Sequence, residues 1–231
     1  MIKLTLISRN NNQFENTLVT KIEQAKKIIA DALEKYGEKI AIACSFGKDS
    51  MVVVHLALQI KPDVQIFTVM TPFKPKETFE YKDKMIKHYQ LNIKEYMSKE
   101  KIDPNLPYTN PDECCRILKV EPTKEAVKNL DAWICGLRNT EGRTRKNYQI
   151  IEEKNGLVKI NPILNWTELD IWRYIAINKI PVHPYYARGY RSLGCEPCTK
   201  IVSDDALERE GRWIGTSKCG GECGIHTMSL K

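Results

Sequence analysis

The stretch KIAIACSFGKDSMVVVHLALQI, residues 39–60, decides the fold class of this chain. Its first six residues form a short apolar run typical of a buried strand, and its last ten form an apolar helix candidate. Small and polar residues join the two. A strand that leads through such a turn into a helix is typical of α/β sheet proteins. The turn can direct backbone N–H groups, a hydroxyl and a helix N-terminus at an anion.

The alternation of strands and helices continues along the chain. Helical spacing covers residues 16–36, further strands are predicted at 64–69, 91–97 and 132–136, and further helices at 76–89, 123–130 and 167–179. We therefore expect a parallel twisted sheet flanked by helices. After residue 180 the chain becomes rich in Pro, Gly, Tyr and Cys. We predict an α/β domain over 1–180 and a loop-rich, mobile C-terminal tail over 181–231.

Composition narrows the classes of function. The chain has 36 Lys and Arg against 29 Asp and Glu, a net charge of +7, with no long basic block. This surplus suits an anionic small molecule, and nucleic acid is not an expected partner. No run of ~20 apolar residues predicts a membrane span, and no signal-peptide pattern is present. We expect a cytoplasmic protein, in which its eight cysteines serve metal binding or redox chemistry.

Two cysteine pairs lie far apart in the chain: Cys114 and Cys115 are adjacent, and Cys195 and Cys198 form a C-x-x-C motif. A disulfide between adjacent cysteines is strained. Zinc, an iron–sulfur cluster or a redox dithiol would each fit the C-x-x-C pair. Neighbouring thiolates converge poorly on one small zinc ion, whereas a cubane offers separate iron corners. The spacing therefore favours a [4Fe–4S] cluster, with zinc as the alternative.

Two other segments carry residues suited to anionic chemistry. The glycine-rich stretch 210–226 contains Cys223 close to Lys218 and His226, which is an environment that stabilises a reactive thiolate. The segment GLRNTEGRTRK, residues 136–146, places arginines directly after a predicted strand. Arginine forks match phosphate and sulfate oxygens, although a solvated basic loop explains this segment equally well on local grounds.

Several of these segments together resemble one known family. CCRILKVEP (114–122), the region 161–200 ending in GCEPCTK, and the pair EGRW and ECGIH are similar to motifs of the thioredoxin-dependent sulfonucleotide reductases. The resemblance is to the iron–sulfur branch that reduces adenylyl sulfate (APS), within the PP-loop superfamily. It implies a PP-loop (adenine nucleotide alpha hydrolase-like) fold, with the cluster-binding loop and the catalytic segment in the tail.

The resemblance also implies roles for matching residues. Cys223 would be the nucleophile that forms an S-sulfocysteine, and thioredoxin or a similar dithiol would then release sulfite. A [4Fe–4S] cluster would be held by Cys114, Cys115, Cys195 and Cys198. We expect a homo-oligomer. The expected contacts to the nucleotide or its sulfate are Ser45, Lys48, Lys119, Arg138, Arg143, Arg212 and His226.

Three departures from the family pattern keep alternatives open. Lys48 and Asp49 look more like ATP-using PP-loop enzymes, VMTPFKPKET (69–78) differs from the usual nucleotide-wall motif, and Cys219 is additional. The alternatives are a reductase of the 3′-phosphorylated substrate (PAPS), an iron–sulfur ATP pyrophosphatase that serves sulfur insertion into nucleic acid, and a zinc-bound nucleic-acid module. Cys219 could resolve the sulfocysteine as a disulfide with Cys223.

Overall fold

A computed structural model describes residues 17–218, 221–227 and 229–231, and Cys219 lies outside this described part. The described residues form a six-stranded sheet. In chain order its strands are β1 (Ile40–Ala43), β2 (Ile66–Met70), β3 (Ile93–Met97), β4 (Ala132–Cys135), β5 (Ile151–Lys154) and β6 (Leu157–Ile160). The helices are α1 (Leu18–Tyr36), α2 (Lys48–Leu58), α3 (Lys76–Tyr89), α4 (Leu106–Thr109), α5 (Pro111–Cys115), α6 (Glu121–Val127), α7 (Glu168–Ile177) and α8 (Gly224–Thr227).

The order of the strands shows where a ligand would bind. The sheet runs β3-β2-β1-β4-β6-β5, and all neighbours are parallel except β5 and β6. From β1 the chain first builds outward on one side and then returns to add β4 on the other. The carboxyl ends of β1 and β4 thus form a topological switch point, where open α/β sheets bind ligands. The predicted parallel α/β fold is confirmed.

Apolar clusters cover both faces of the sheet. Ile42 and Ile134 belong to a cluster with α1, α2 and α7, whereas Ala41 and Trp133 face a second cluster that includes Val127 of α6. The nearly continuous apolar character of the central strands reflects this two-sided burial. Among the described residues, no helix is both long and apolar enough to cross a membrane.

The predicted helix start at Thr167 is confirmed by its cap. The Thr167 hydroxyl accepts from the backbone N–H of Asp170, and the Asp170 carboxylate accepts from the backbone N–H of Thr167 at 2.8 Å. The β5–β6 hairpin was missed. Its signal was Asn155-Gly156, where both residues have positive φ values, 52° and 72°, as the favoured two-residue hairpin turn requires.

The double cysteine ends a short helix that continues through a π-helical turn. Pro111 and the Asn110 side chain start α5, since Asn110 Oδ1 accepts from the Glu113 N–H at 3.1 Å. A π segment, Arg116–Val120, then leads into α6. Such π turns are frequent at functional sites because they add a residue to one turn and redirect the side chains. This turn carries Lys119.

Candidate active site

A cavity of about 220 Å³ lies at the carboxyl ends of β1 and β4. We call it the active-site cavity. Its walls come from the 44–50 loop, the π turn, the arginine loop, the loop before Cys195 and the C-terminal segment. The lining includes six of the eight catalytic and substrate-contact residues expected above: Ser45, Lys48, Lys119, Arg212, Cys223 and His226.

The 44–50 loop is held in shape by local contacts. Phe46 is buried with φ 62°, and Gly47 precedes α2 as its N-cap. The first N–H of the helix, that of Lys48, donates to the Tyr186 hydroxyl at 2.8 Å. The Ser45 hydroxyl lies 3.3 Å from that of Ser50 at the cavity wall. The role of Ser45 as an anion contact stays a prediction.

Gly136 permits a close approach between two walls of the cavity. A Cβ at this position would fall 2.8 Å from the carbonyl carbon and oxygen of Asp49 and from the nitrogen of Ser50. The chain leaving β4 therefore packs directly on the first turn of α2. A glycine is required here for lack of space, without any need for an unusual φ.

Two of the expected substrate contacts are engaged in buried ion pairs. The Lys48 ammonium lies 2.6 Å from Glu208 Oε2 and donates to the Arg191 carbonyl at 2.9 Å. Burial lowers the pKa of Lys48, but Asp49 and Glu208 outweigh that effect and raise it. The fully buried Arg138 donates to Asp49 at 2.6 Å and to Glu208.

Arg143 lies in a different environment. Its side chain is 82% exposed and pairs with Glu210 at 3.6 Å, outside the active-site cavity. Instead Arg145, two residues later, is buried and lines the cavity. No local pattern distinguishes Arg143 from Arg145, since both follow the same strand within one 3₁₀ turn.

The four paired cysteines are buried free thiols. Phe73 packs against both the cluster that contains Cys114 and the cluster that contains Cys195 and Cys198. Cys195 Sγ also lies 3.1 Å from the Thr71 hydroxyl. The proximity of Cys115 and Cys223 raises the pKa of Cys115 and lowers that of Cys223. No three His, Cys, Asp or Glu side chains in the described part of the chain stand in a metal-binding arrangement.

Positive charge collects around these thiols. Burial lowers the pKa of Lys119, but Cys195, Cys115 and Cys223 raise it by a larger amount. The net effect is a raised pKa, so this lysine stays protonated. Burial lowers the pKa of Lys74 to about 8, although Cys195 opposes the shift. Ammonium groups held partly away from water favour a negative partner. The donor set, four free thiols beside Lys119 and Lys74, fits an anionic thiolate-bound cluster in its chemistry.

Cys223 lies half-buried in the active-site cavity at the start of α8. The neighbouring Cys115 lowers the pKa of Cys223; burial opposes this, and Lys119 adds to the lowering. The Cys223 backbone N–H donates to Glu222 Oε1 at 2.9 Å. The candidate nucleophile therefore lines the cavity beside a cation, Lys119, that favours its thiolate form.

Known proteins match the same part of the chain. The model of the phosphoadenosine phosphosulfate reductase domain matches residues 39–201, which hold the 44–50 loop and both cysteine pairs. The chain belongs to this reductase family. It is 36% identical to an adenosine 5'-phosphosulfate reductase of Staphylococcus haemolyticus, over 87% of the chain and 86% of the relative. A second, from Staphylococcus epidermidis, is 36% identical over 97% and 96%. The predicted family and the enzyme class, an oxidoreductase acting on sulfur, are confirmed.

Solved structures agree on the fold of this family member. The phosphoadenylyl-sulfate reductase of Candida auris superposes with a TM-score of 0.67 at 21% identity, covering 87% of this chain and 99% of that one. An FMN adenylyltransferase of Candida glabrata gives 0.63 at 16% identity, covering 90% and 79%. A tRNA thiolase of Methanococcus maripaludis, solved with its [4Fe–4S] cluster, gives 0.54 at 14% identity, covering 72% and 66%.

The cavity of this reductase contains buried polar atoms without a partner among the described residues: Arg212 Nε, Trp213 Nε1 and His226 Nδ1. Arg212 lies close against Gly194, where a Cβ would meet its guanidinium at 2.3 Å. His226 stacks on Trp133, with ring centroids 6.0 Å apart. Burial, and then Arg145, lower the pKa of His226 to about 3, so its ring is neutral at physiological pH.

Trp213 is not among the site residues expected from the sequence. The structure buries it completely against Cys195, Cys198 and Cys223, with φ 58°. The Arg212 guanidinium lies 4.7 Å from its ring centroid. Non-glycine residues with such strained backbone angles cluster at active sites. An indole N–H left unpaired at this position is a donor available to a ligand.

A buried ionic group was also missed. Arg145 donates to Glu222 at 2.7 Å and also to Glu141, while Arg209 donates to Glu222 at 2.8 Å. The pKa of Arg209 is lowered to about 10, first by burial and then by Arg145. These residues come from two distant segments, and no local spacing in either predicts their contact.

Proposed function

We propose that this protein reduces adenylyl sulfate to sulfite and AMP, with Cys223 as the nucleophile and a dithiol protein such as thioredoxin as the reductant. The observation that carries the proposal is the position of Cys223. It lies in one cavity with the 44–50 loop and with the cations Lys119 and Arg212. The names of the bacterial relatives support adenylyl sulfate as the substrate.

The first step forms a covalent intermediate. The Cys223 thiolate attacks the sulfur of the phosphosulfate anhydride, a sulfur–sulfur bond forms, and the sulfur–oxygen bond to the phosphate breaks. Its electron pair leaves with AMP, so that the enzyme carries an S-sulfocysteine. Covalent catalysis of this kind divides one difficult displacement into two easier ones.

The second step regenerates the thiolate. A thiolate of the reductant attacks Cys223 Sγ, and sulfite leaves with the electron pair of the sulfur–sulfur bond. The partner thiol of the reductant then attacks the mixed disulfide, which frees Cys223 and leaves the reductant as a disulfide. The two electrons that reduce the sulfonyl group thus come from the dithiol.

Cations and unpaired donors assist the transfer. Nucleophile and sulfonate are both negative, so Lys119 and Arg212 offset the charge as the two approach. Trp213 Nε1 and Arg212 Nε are free to donate to sulfonate oxygens, and the neutral His226 can donate the hydrogen bond of its one ring N–H. Ser45 remains our candidate for the nucleotide phosphate. Arg143, which lies outside the cavity, has no role in this scheme.

We propose that Cys114, Cys115, Cys195 and Cys198 hold a [4Fe–4S] cluster. When bound, the cluster would supply fixed negative charge beside Lys119 and would need no redox change in this scheme. The half-buried cations Lys119 and Lys74 beside these thiols support the assignment over four unrelated cysteines. We further expect a cytoplasmic homo-oligomer.

The products formed from three nucleotides test the function. The anaerobically purified protein should release sulfite and AMP from APS when reduced thioredoxin is present, and it should release no pyrophosphate from ATP. A higher kcat/KM for PAPS than for APS would make PAPS, and not APS, the substrate of the enzyme. Pyrophosphate from ATP without sulfite from APS would contradict the proposal and favour an ATP pyrophosphatase.

A further inference from the structure

One carboxylate of the C-terminal segment, that of Glu208, binds directly to Lys48 of the 44–50 loop and to Arg138. Glu208 is 5% exposed; its Oε2 lies 2.6 Å from the Lys48 ammonium and 2.7 Å from Arg138 Nη2, and its Oε1 lies 2.8 Å from Arg138 Nη2. The side chain of Lys48 is 2% exposed. Lys48 therefore donates to protein groups from a position where it could otherwise reach a phosphate.

The contact is the first member of a longer series of alternating charges. Arg138 donates its backbone N–H to Glu141, which Arg145 contacts in turn. Arg145 then binds Glu222, whose Oε1 accepts the N–H of Cys223. Buried ion pairs thus extend from the loop beneath the nucleotide site to the backbone of the nucleophile.

A buried ion pair acts mainly by fixing one arrangement. Its net contribution to stability is small because both charges lose their water, but removing one partner leaves a buried charge uncompensated. The segment that carries Glu208 can therefore dock only where its carboxylate meets Lys48 and Arg138. The same segment carries Arg212 and Trp213, both in the active-site cavity.

We propose that the Lys48–Glu208 ion pair positions the catalytic C-terminal segment on the 44–50 loop, and that Lys48 acts through this pair and makes no contact with the substrate phosphate. Lys48 and Glu208 are then positioning residues. The inference rests on the proposed function for the role of Cys223. It reverses the interpretation that Lys48 and Asp49 mark an ATP-using enzyme.

Three cluster-loaded variants test the proposal: Lys48→Met, Glu208→Gln and the double variant. Glu210→Gln is the matched control, because Glu210 lies on the same segment and pairs with an exposed arginine, Arg143. Two measurements need no turnover: the affinity for AMP by calorimetry and the rate at which iodoacetamide alkylates Cys223, followed by peptide mass. Steady-state kinetics with APS gives kcat and KM separately.

We expect each single variant to alkylate Cys223 about tenfold faster and to lose about tenfold in kcat, with AMP affinity changed less than about threefold. The double variant should lose no more kcat than the more impaired of the two single variants, because the two residues act as one unit. Lys48→Arg should restore kcat partly. Glu210→Gln should match the wild type.

A loss of about tenfold in AMP affinity on Lys48→Met, with Cys223 alkylation unchanged, would overturn the proposal and make Lys48 a phosphate ligand. Additive losses in the double variant would also overturn it. If a single variant fails to fold, the double variant decides, because it removes both charges together. Failure of sulfite release in the wild type would instead contradict the proposed function. AMP affinity and Cys223 alkylation would still test the role of the ion pair.

Discussion

Cys115 and Cys223 lie close enough for each to shift the pKa of the other, raising that of Cys115 and lowering that of Cys223. One of these cysteines belongs to the predicted cluster-binding pair and the other is the proposed nucleophile. The two groups therefore stand side by side, although they lie in distant parts of the sequence. Substitution of each should nevertheless affect a different property.

We expect Cys223→Ser to abolish sulfite release while leaving iron and sulfide content unchanged, because its thiol is not a proposed ligand. Cys115→Ser should lose most of the iron, since three thiolates hold a cubane poorly. Metal and acid-labile sulfide analysis of both anaerobically purified variants provides the measurement. Equal iron in the wild type and in Cys115→Ser would contradict the proposed ligand set.

Substitution of Gly136 tests the close packing beneath the nucleotide site. An added methyl group would meet the Asp49 and Ser50 backbone at 2.8 Å. We expect Gly136→Ala to lower the free energy of unfolding by about 1–3 kcal/mol and to weaken AMP binding. Gly142→Ala is the control, because its Cβ would meet only side-chain atoms, the nearest at 3.5 Å. Equal stability of the two variants in urea would show that this close approach is absent.

Removal of the Arg145 charge should destabilise the protein strongly. Arg145 is 5% exposed and contacts both Glu141 and Glu222. Arg145→Met leaves these carboxylates partly uncompensated, so we expect a loss of about 3–5 kcal/mol in the free energy of unfolding. Arg145→Lys should recover only part of this loss, because an ammonium cannot bridge two carboxylates as a guanidinium fork does. Full recovery with lysine would contradict that geometry.

His183 should make stability depend on pH in mildly acidic solution. Tyr185 donates its N–H to Nδ1 at 3.1 Å, so Nε2 carries the proton that faces Thr78 Oγ1 at 3.0 Å. The pKa of His183 is lowered to about 4: burial contributes most, Lys74 and Arg188 add to the shift, and Glu77 opposes it. Between that value and ~6.5 the unfolded chain binds the proton and the folded chain does not.

The stabilisation is therefore complete above pH ~6.5 and declines as the pH falls towards 4. We expect a loss of about 1–2 kcal/mol between pH 7 and pH 5 from this group. The measurement is the difference in urea unfolding between the wild type and His183→Gln at the two pH values. A wild-type slope that survives the substitution unchanged would exclude His183 as its source.

The indole N–H of Trp213 can be tested by Trp213→Phe, which keeps an aromatic ring and removes the donor. We expect kcat for APS to fall about tenfold with unchanged AMP affinity, since only the sulfonate would lose a hydrogen bond. Trp172→Phe, at a partly buried position outside the cavity, is the control. Unchanged kcat in Trp213→Phe would remove this residue from the reaction.

Much of the sheet could be predicted because period and burial are local properties. The KIAIAC strand, its turn and the helix that follows appear close to their predicted bounds. The C-x-x-C cysteines and Cys223 pack in one cluster, although about 25 residues separate them in the chain.

The partners of charged residues could not be predicted. Nothing near Lys48 in the sequence indicates that Glu208 would neutralise it, because that contact depends on how the C-terminal segment packs against the 44–50 loop. Arg143 and Arg145 differ by two positions, yet one is exposed and the other buried. Long-range ion pairs follow from tertiary packing, which local patterns do not record.

The intact mass of the enzyme after mixing with APS, in the absence of any dithiol, tests the central claim most directly. The account predicts one sulfonate-sized increment per chain, located on the peptide that contains Cys223 and absent from Cys223→Ser. An unmodified wild type that still releases AMP and sulfite when thioredoxin is added, or an increment that persists in Cys223→Ser, would contradict it.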